Sequence, residues 1–338
     1  MMRSLNNHVV VITGASSGIG RESAVELGRR GASLVLAARG EEALENIRAE
    51  LAAQGVEALS VPTDVADRDQ VDRLRDAAIA RFGRINTWIN NAGIYYVGPV
   101  ETMTTAEFER LMHVNFMGQV NGVMAALPQF IAQGSGAFIN VSSGLAELST
   151  PMVAAYSASK HAIHGFTESL RLELARDHPD IHVTEILPGS INTPLFTHAR
   201  NKLSAKTRPL PPVYRTSEAV RAIVYAVEHP RRDIYIGPMR LFAVAGRVAP
   251  GVADRSMLTG DAAVNAIVTD EPGTDTDNMF APMPASTYTG QGEWGKETMP
   301  ISLSLRTGEL HPWMRSAFKG AAAIGGALAM RRVAGRLS

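Results

Sequence analysis

The sequence predicts an α/β protein with a doubly wound, mostly parallel sheet, and three observations lead to that prediction. Over the first 237 residues, short segments rich in Val and Ile alternate with longer segments of helical length. The short segments are largely apolar throughout, which is typical of strands covered on both faces. A glycine-rich turn joins the first strand-like segment to the first helical one. Strands separated by helices imply right-handed crossovers, so we expect seven strands with helices on both faces.

Each element has its own support in the sequence. Strands are expected within residues 8–14, 32–38, 56–64, 85–90, 136–143, 182–189 and 233–237. Helices are expected over residues 18–29, 41–54, 67–82, 105–132, 152–176 and 216–228. Asp67 and the pair Thr105 and Glu107 are helix start signals, whereas Gly31 and Gly55 stand where helices should stop.

Composition excludes several classes of protein. The chain has 338 residues, 45% of them hydrophobic and 20% charged, which is typical of a soluble globular protein. Its 33 Lys and Arg residues balance 33 Asp and Glu residues, so nothing favours nucleic-acid binding. Because it has no cysteine, disulfides and thiolate catalysis are excluded. Neither a signal peptide nor a membrane-spanning apolar run is evident, so we expect a cytoplasmic protein.

The last hundred residues differ from the rest, so we divide the chain into a domain over residues 1–245 and an extension over residues 246–338. Residues 269–300 are crowded with Thr, Asp, Gly and Pro, as in a linker or extended loop. Residues 310–338 form a basic tail around a short apolar stretch. This tail is either an interfacial helix that meets anionic lipid or a partner subunit, or a terminal helix that packs on the body or frays.

The first predicted strand ends in Thr13-Gly14-Ala15-Ser16-Ser17-Gly18-Ile19-Gly20. Glycines at a strand-to-helix turn let backbone N–H groups approach a ligand, and the helix N-terminus favours a pyrophosphate. The turn is therefore typical of a Rossmann-type dinucleotide site. The same residues also spell G-x-S-x-G, which would make Ser16 the nucleophile of a serine hydrolase. Against that alternative, the turn closes the first strand, and no His follows an apolar strand as a triad partner would.

Cofactor preference is expected at the end of the second strand. An acidic residue there would bind a ribose hydroxyl and favour NAD(H), but the strand ends at Arg39. A guanidinium can pair bidentately with a phosphate, so Arg39 favours NADP(H) over NAD(H). Arg21, just after the glycines, is either a second cation for this phosphate or a solvated surface charge.

From these residues onward the chain resembles the main single-domain branch of the short-chain dehydrogenase/reductase family. The resemblance covers residues 8 to about 240 and rests on motifs that appear in the family's order. They are T-G-x-x-x-G-I-G at 13–20, Asn90-Asn91-Ala92-Gly93, Asn115, Ser143, Tyr156 with Lys160, and Pro188-Gly189 followed by Thr193. The extension lies outside the resemblance.

The resemblance implies four catalytic residues. Tyr156 would exchange a proton with the carbonyl or hydroxyl oxygen, and Ser143 would orient that oxygen. Lys160 would bind the nicotinamide ribose, and Asn115 would hold a water of the proton relay. Tyr156 and Lys160 are four residues apart, so they project from one helix face. We expect the Lys160 ammonium and the oxidised nicotinamide to lower the pKa of the Tyr156 phenol.

The resemblance also implies a set of cofactor contacts. Besides Tyr156, Lys160 and Arg39, these are Gly14, Ser16, Ser17, Gly18, Ile19, Gly20, Asp64, Val65, Asn91, Ala92, Gly93, Pro188, Gly189, Ile191 and Thr193. Asp64 and Val65 would contact the adenine, and Thr193 would either position the carboxamide or cap a following helix. The glycine turn lacks the Walker lysine, which argues against ATP binding. His161 and His164 lack the third ligand that a metal site would need.

The expected substrate is a hydrophobic ketone, aldehyde or secondary alcohol. Tyr95, Leu145 and Met152 are its expected contacts, and the proline-broken loop 194–213 its lid. Arg200, Lys202, Lys206 and Arg208 in that loop either attract an anionic group or form a solvated face. We expect a homo-oligomer, dimer or tetramer, formed through helices 105–132 and 152–176, because the family assembles in that way. A catalytically silent dinucleotide-binding sensor is the alternative function.

Overall fold

The computed structural model describes residues 5–258, 262–274 and 276–302, and it confirms the predicted fold class. A seven-stranded sheet forms the centre of the molecule, and every neighbouring pair in it is parallel. Its strands, in chain order, are β1 Val9–Thr13, β2 Ser33–Ala38, β3 Ala58–Pro62, β4 Thr87–Asn90, β6 Gly136–Val141, β7 Ile181–Pro188 and β12 Asp233–Ile236. Their order across the sheet is β12-β7-β6-β4-β1-β2-β3, which reverses direction beside β1.

Short strands form three smaller sheets outside the centre. They are β5 Tyr96–Val97, β8 Ser190–Ile191, β9 Arg200–Asn201, β10 Ala205–Thr207, β11 Val213–Tyr214, β13 Val268–Pro272 and β14 Thr298–Met299. Strand β10 pairs with β13, and β11 lies between β8 and β14. Two strands of the extension are therefore paired with the loop region 190–214.

The helices cover both faces of the central sheet. They are α1 Gly18–Arg29, α2 Glu41–Ala53, α3 Arg68–Phe82, α4 Thr105–Met112, α5 Gly118–Gln133, α6 Ala154–Asp177, α7 Thr216–Glu228, α8 Met239–Val248, α9 Pro250–Leu258 and α10 Ala262–Asn265. Two buried apolar clusters, one on each face, contain alternate residues of the same strands. In β1, for example, Val9 and Val11 belong to one cluster and Val10 and Ile12 to the other.

The start of the long predicted helix 105–132 differs from the expectation. Thr104, not Thr105, caps α4, and it forms a capping box with Glu107. A π-helical segment, His113–Met117, then separates α4 from α5. Such segments break the regular i→i+4 pattern and are frequent at functional sites. Asp67 caps α3 as predicted, and Gly31 and Gly55 have positive φ where the helices stop.

The extension packs on the body over the residues that the structure describes. The expected boundary at residue 245 falls within α8. Residues 269–300 have the irregular course expected of their composition, apart from β13, β14 and short 3₁₀ turns. The tail at 310–338 lies outside the described residues. Within the described ranges, no helix combines the length and the apolarity needed to cross a bilayer.

A buried polar network connects the sheet to its helices. Trp88 Nε1 donates to Asn90 Oδ1 at 2.8 Å, and Asn90 Nδ2 donates to Asn140 Oδ1 at 3.0 Å. Asn140 Nδ2 in turn donates to Thr167 Oγ1 on α6 at 2.9 Å. Helix α5 approaches this network at Gly122, where a Cβ atom would lie 2.6 Å from Trp88 Nε1. The network thus fixes α6 against β4 and β6.

We predict that Gly122→Ala lowers the free energy of unfolding by about 1–3 kcal/mol, because the added methyl displaces this buried network. Gly165→Ala on α6 is the matched control, since nothing lies within 4 Å of its Cβ position. That control should be neutral or stabilise by up to about 1 kcal/mol, because Ala favours a helix over Gly. Urea unfolding measures both values, and equal stabilities of the two variants would contradict the prediction.

Candidate active site

A cavity of about 510 Å³ lies at the carboxyl ends of the central strands. This is where parallel α/β sheets bind ligands, beside the point where the strand order reverses. Most of the residues predicted for the site line this one cavity. They are Gly14, Ser16, Ser17, Gly18, Ile19, Arg39, Asp64, Val65, Asn91, Ala92, Gly93, Tyr95, Ser143, Leu145, Tyr156, Lys160, Pro188, Gly189, Ile191 and Thr193.

Three predicted residues do not line the cavity. Gly20 lies one residue further into α1, where a Cβ atom would collide with the carbonyl oxygen of Gly14. Asn115 is fully buried behind the site. Met152 packs against the core cluster, and its backbone has a φ of 69°. Gly20 and Asn115 therefore support the site from behind, and Met152 lies outside it.

The glycine turn is shaped by its contact with the end of β4. Gly14 has a φ of 69°, and a Cβ atom there would lie 2.7 Å from Ala92 Cα. Asn91 Nδ2 donates to the carbonyl oxygens of Thr13 and Gly14, and Thr13 Oγ1 accepts from the backbone N–H groups of Asn91 and Ala92. The N-terminus of α1 consequently opens into the cavity, where its N–H groups can meet an anion.

Tyr156 lies in the first turn of α6, beside Ser143 at the end of β6. The Ser143 hydroxyl lies near enough to the Tyr156 phenol to affect its pKa, and Leu145 N donates to Ser143 Oγ at 3.1 Å. The Tyr95 ring packs edge-on against Tyr156, with 4.7 Å between the ring centroids. Burial raises the pKa of Tyr156 to about 12, although the neighbouring Ser143 hydroxyl acts in the opposite direction. Desolvation therefore outweighs the protein groups that would lower this pKa, and the lowering by Lys160 together with an oxidised nicotinamide stays a prediction.

Lys160 lies one turn after Tyr156, as its spacing predicts. Its Nζ atom is 5.4 Å from the centre of the Tyr156 ring and donates to the carbonyl oxygen of Val141 at 3.2 Å. Burial lowers the pKa of Lys160 to about 8, and the negative charge of Glu185 opposes that shift. Desolvation thus governs both residues, because each is enclosed by apolar side chains.

Asn115 belongs to the π-helical segment between α4 and α5. Its Oδ1 accepts from the backbone N–H of Ile94 at 2.8 Å, and its Nδ2 donates to the carbonyl oxygen of Ile94 at 3.0 Å. Nδ2 also donates to Ser159 Oγ on α6 at 3.2 Å. The Asn115 side chain therefore fixes the chain after β4 to the helix that carries Tyr156 and Lys160.

Arg39 is partly buried at the adenosine end of the expected site, and a second cation lies near it. Arg110, on α4, donates to Asp64 Oδ2 at 2.6 Å. Burial lowers the pKa of Arg39, and the positive charge of Arg110 adds to that shift. Sequence reasoning missed Arg110, because no motif connects it to Asp64. Arg21 is not that second cation, since it forms ion pairs with Glu22 and Glu50 and does not line the cavity.

The predicted lid covers the Tyr156 end of the cavity. Its lining residues are Pro194, Leu195, Phe196, His198, Leu210, Pro211 and Pro212. Its four basic residues are all in ion pairs and partly exposed, which favours the solvated face over a site for an anionic group. Arg200 and Lys202 pair with Glu107, and Arg200 also pairs with Asp277. Lys206 pairs with Glu271 and Glu293, and Arg208 with Glu297.

Comparison with known proteins assigns the family. The family model described as short chain dehydrogenase matches residues 8–204, which is more than half of the chain. An uncharacterized oxidoreductase of Bacillus subtilis (strain 168), YxnA, is 39% identical over 259 residues, covering 76% of this chain and 73% of that protein. Dehydrogenase/reductase SDR family member 7B of Bos taurus is 35% identical over 269 residues, covering 76% of this chain and 82% of that protein. This chain belongs to the short-chain dehydrogenase/reductase family and is an oxidoreductase.

Solved structures agree with that assignment. An alcohol dehydrogenase from Thermococcus sibiricus complexed with 5-hydroxy-NADP has a TM-score of 0.60 and 27% identity, covering 68% of this chain and 95% of that one. A short-chain dehydrogenase/reductase from Burkholderia phymatum in complex with NAD has a TM-score of 0.64 and 26% identity, covering 81% of this chain and 100% of that one. These neighbours support a nicotinamide cofactor, and they include both NADP and NAD complexes.

We predict that Lys160→Met raises the free energy of unfolding at pH 7 by about 1–3 kcal/mol, because it removes the cost of burying a charged ammonium. Val141 O would keep its hydrogen bond from Gln119 Nε2 at 2.9 Å. The Lys160 pKa of about 8 lies below its ordinary value of 10.5. Between pH 8 and pH 10.5, Lys160 is mostly protonated in the unfolded chain and mostly neutral in the folded one. The free energy of unfolding of the wild type therefore rises with pH over this range. The difference between variant and wild type should therefore shrink from pH 8 to 10.5 in urea unfolding, and a constant difference would contradict the prediction.

Proposed function

We propose that this chain is an NADP(H)-dependent oxidoreductase that transfers a hydride between the nicotinamide and a hydrophobic ketone, aldehyde or secondary alcohol. One observation carries the proposal. Tyr156, together with Ser143 and with Lys160 one helical turn away, lines the same cavity as the glycine turn. A proton donor and a dinucleotide-binding turn are the two parts that such a reaction requires.

The residues present fit a dinucleotide. Gly14 lines the cavity with backbone atoms alone, because a Cβ atom there would collide with Ala92. The α1 N-terminus offers N–H donors for a pyrophosphate, and Arg39 offers a guanidinium beyond it. A bound nicotinamide would supply or accept the hydride. Gly189 and Thr193 line the cavity with Lys160 and would hold that ring and its ribose.

In this proposal the protein's own groups handle the proton. Tyr156 donates its hydroxyl proton to the carbonyl oxygen during reduction and accepts it during oxidation. Ser143, held by Leu145 N, donates a hydrogen bond to the same oxygen and fixes its position. With a Tyr156 pKa of about 12 from burial, the phenol stays protonated at neutral pH. That protonation state favours the reductive direction.

Proton resupply would pass through Lys160 and Asn115. The side-chain amide of Asn115 is committed to Ile94 and Ser159. A relay water would therefore be held by the main-chain carbonyl of Asn115, within the π-helical turn where regular backbone pairing is interrupted. Lys160, with its pKa near 8, can exchange protons close to neutral pH.

The substrate class follows from the side chains around Tyr156. Tyr95 packs on both Tyr156 and Phe196, and the lid adds further apolar side chains. Phe242 and Met257, on α8 and α9, also line the cavity. All four lid cations are in ion pairs, so the surroundings favour an apolar or aromatic carbonyl compound over an anionic one.

The preference for NADP(H) rests on charge. Arg39 and Arg110 place two guanidinium groups near one carboxylate, that of Asp64, which leaves an excess of positive charge. A 2′-phosphate would balance that excess, whereas the ribose hydroxyl of NAD(H) would not.

The alternatives have weaker support. A catalytically silent nucleotide sensor would not need the arrangement of Ser143, Tyr156 and Lys160. The serine hydrolase alternative loses its basis, because family membership accounts for Ser16 as part of the glycine turn. The proposal includes a cytoplasmic homo-oligomer, supported by exposed apolar side chains on α4, α5 and α6. These are Phe108, Met124, Ile131 and Leu172.

We predict that Tyr156→Phe lowers kcat for carbonyl reduction by about 10²–10⁴-fold, because it removes the proton donor. Nucleotide affinity should change little. Tyr96→Phe is the matched control, since Tyr96 is also buried but its hydroxyl contacts Pro99 and Thr102 instead of the cavity. The assay is NADPH oxidation over a panel of aldehydes and ketones. A variant that keeps more than about a tenth of wild-type turnover would exclude Tyr156 as the acid.

We predict that Arg39→Ser lowers kcat/KM for NADPH by about 10–100-fold, because a charge-assisted contact is worth roughly 1.5–3 kcal/mol. The value for NADH should change by less than about threefold. Arg48→Ser is the control, since Arg48 lies exposed on α2 and pairs only locally with Glu45. A wild-type enzyme that prefers NADH would overturn the proposed cofactor preference.

A further inference from the structure

Residues 276–299, which we call the strap, cross the adenosine end of the cavity. The strap lies beyond the family match, which ends at residue 204. Asn278 N donates to the carbonyl oxygen of His198 at 3.0 Å, and the Met279 side chain is fully buried in the core cluster that contains Tyr156. At the far end, Gly292 N and Trp294 N donate to Asn192 at 3.1 and 3.0 Å. The strap is thus fastened at both ends to the loop after β7.

The strap holds the residue that we propose for phosphate recognition. Arg39 donates to the carbonyl oxygens of Asn278 and Met279, the latter at 3.3 Å. Arg110 Nε donates to the same Met279 oxygen at 3.0 Å. A guanidinium has five N–H donors, so Arg39 keeps others for a ligand. The strap carbonyl groups therefore hold the Arg39 guanidinium in place, and some of the Arg39 N–H groups stay available for a ligand.

The strap also contacts the glycine turn. Gly18 N donates to the carbonyl oxygen of Thr289 at 2.8 Å. This N–H belongs to the first turn of α1 and so has no hydrogen-bond partner within the helix itself. Asn278 and Tyr288 line the same cavity as Gly14, Ile19 and Asp64. The cavity therefore has the glycine turn on one side and the strap on the other.

The middle of the strap is held more weakly than its ends. Phe280 is exposed, and so are Pro282 and Thr289. The hydrogen bond from Gly18 N to Thr289 O and the packing of the Tyr288 ring against His198 join this part to the cleft. The ion pairs of the flanking residues, such as Lys206 with Glu293, are partly solvated and contribute little to stability. Opening of residues 280–291 breaks the Gly18–Thr289 hydrogen bond and the contact between the Tyr288 and His198 rings, whereas Met279 keeps the strap anchored.

We propose that the strap is a gate on the dinucleotide site: NAD(P)(H) enters and leaves only when residues 280–291 lift from Gly18, while Asn278 and Met279 stay in contact with Arg39. This inference rests on the proposed function, because it takes the cleft to be a dinucleotide site. In this proposal the nucleotide lies in the cavity lined by the glycine turn, Asn278 and Tyr288, and the strap closes the entrance to that cavity. Strap opening then controls the rate of nucleotide exchange.

A disulfide staple tests the gate. The Cβ position at Gly40 lies 3.6 Å from Pro282 Cβ, which is within the range for a disulfide. Gly40 has a φ of −81°, so cysteine fits its backbone. The chain has no cysteine of its own, so Gly40→Cys with Pro282→Cys gives one defined pair. Each single variant, treated with the same oxidant, is the control.

Stopped-flow fluorescence would measure NADPH binding to the oxidised double variant and to the same protein after dithiothreitol. We expect oxidation to slow association at least tenfold and reduction to restore it. Protein loaded with NADPH before oxidation should retain the nucleotide through desalting and release it on reduction. Equal association rates in the oxidised and reduced protein would overturn the gate. So would a loaded protein that cannot form the disulfide, because the nucleotide would then displace the strap.

A second variant tests the anchor without a crosslink. Met279→Ala removes the buried side chain but keeps the carbonyl group that contacts Arg39 and Arg110. We expect NADPH release to become at least threefold faster, and an unchanged release rate would overturn the gate. If wild-type protein binds neither NADPH nor NADH, the proposed function fails instead, which distinguishes that outcome from failure of the gate alone.

Discussion

The close contact between the glycine turn and the end of β4 is the constraint on which the site depends. Gly14 adopts a positive φ, and no side chain fits between it and Ala92. The Asn91 amide and the Thr13 hydroxyl lock this contact with hydrogen bonds on both sides. Because β1 and β4 are neighbours, the contact brings the N-terminus of α1 beside the chain that leads to Asn115. The proposed nucleotide and catalytic parts of the site therefore meet at this contact.

A balance between burial and charge sets the protonation states of Tyr156 and Lys160. Tyr156 and Lys160 are both enclosed, so desolvation favours the neutral form of each. From sequence we expected the Lys160 ammonium and the oxidised nicotinamide together to lower the Tyr156 pKa, whereas burial within the protein raises it. The sequence spacing shows that the two side chains share a helix face, but it does not show how deeply that face is buried. Burial depends on Tyr95, Phe196 and the lid, which come from distant parts of the chain.

The helix bounds and the sheet architecture were predictable, whereas individual contacts between distant side chains were not. The bounds of α1 and α7 agree with the helices expected at 18–29 and 216–228, because the glycine turn and apolar periodicity mark them. The π-helical segment at Asn115 was missed, since no sequence signal distinguishes it within a continuous helical pattern. Arg110 was missed because its partner Asp64 is 46 residues away. The strap was interpreted only as a linker, since Thr, Gly and Pro describe irregular backbone without indicating what it contacts.

The extension is part of the active-site wall rather than an appendage. Glu107 on α4 pairs with Arg200 and Lys202 of the lid, and Arg200 also pairs with Asp277 beside Asn278. Burial alone would raise the pKa of Glu107, but hydrogen bonds from Thr104, Lys202 and Arg200 lower it to about 2. The carboxylate therefore stays charged at neutral pH, and the connection between lid and strap persists. Because the lid covers the Tyr156 end and the strap covers the Arg39 end, one ion-paired unit closes both halves of the cavity. Arg200 therefore joins the lid to the anchored end of the strap, beside Asn278.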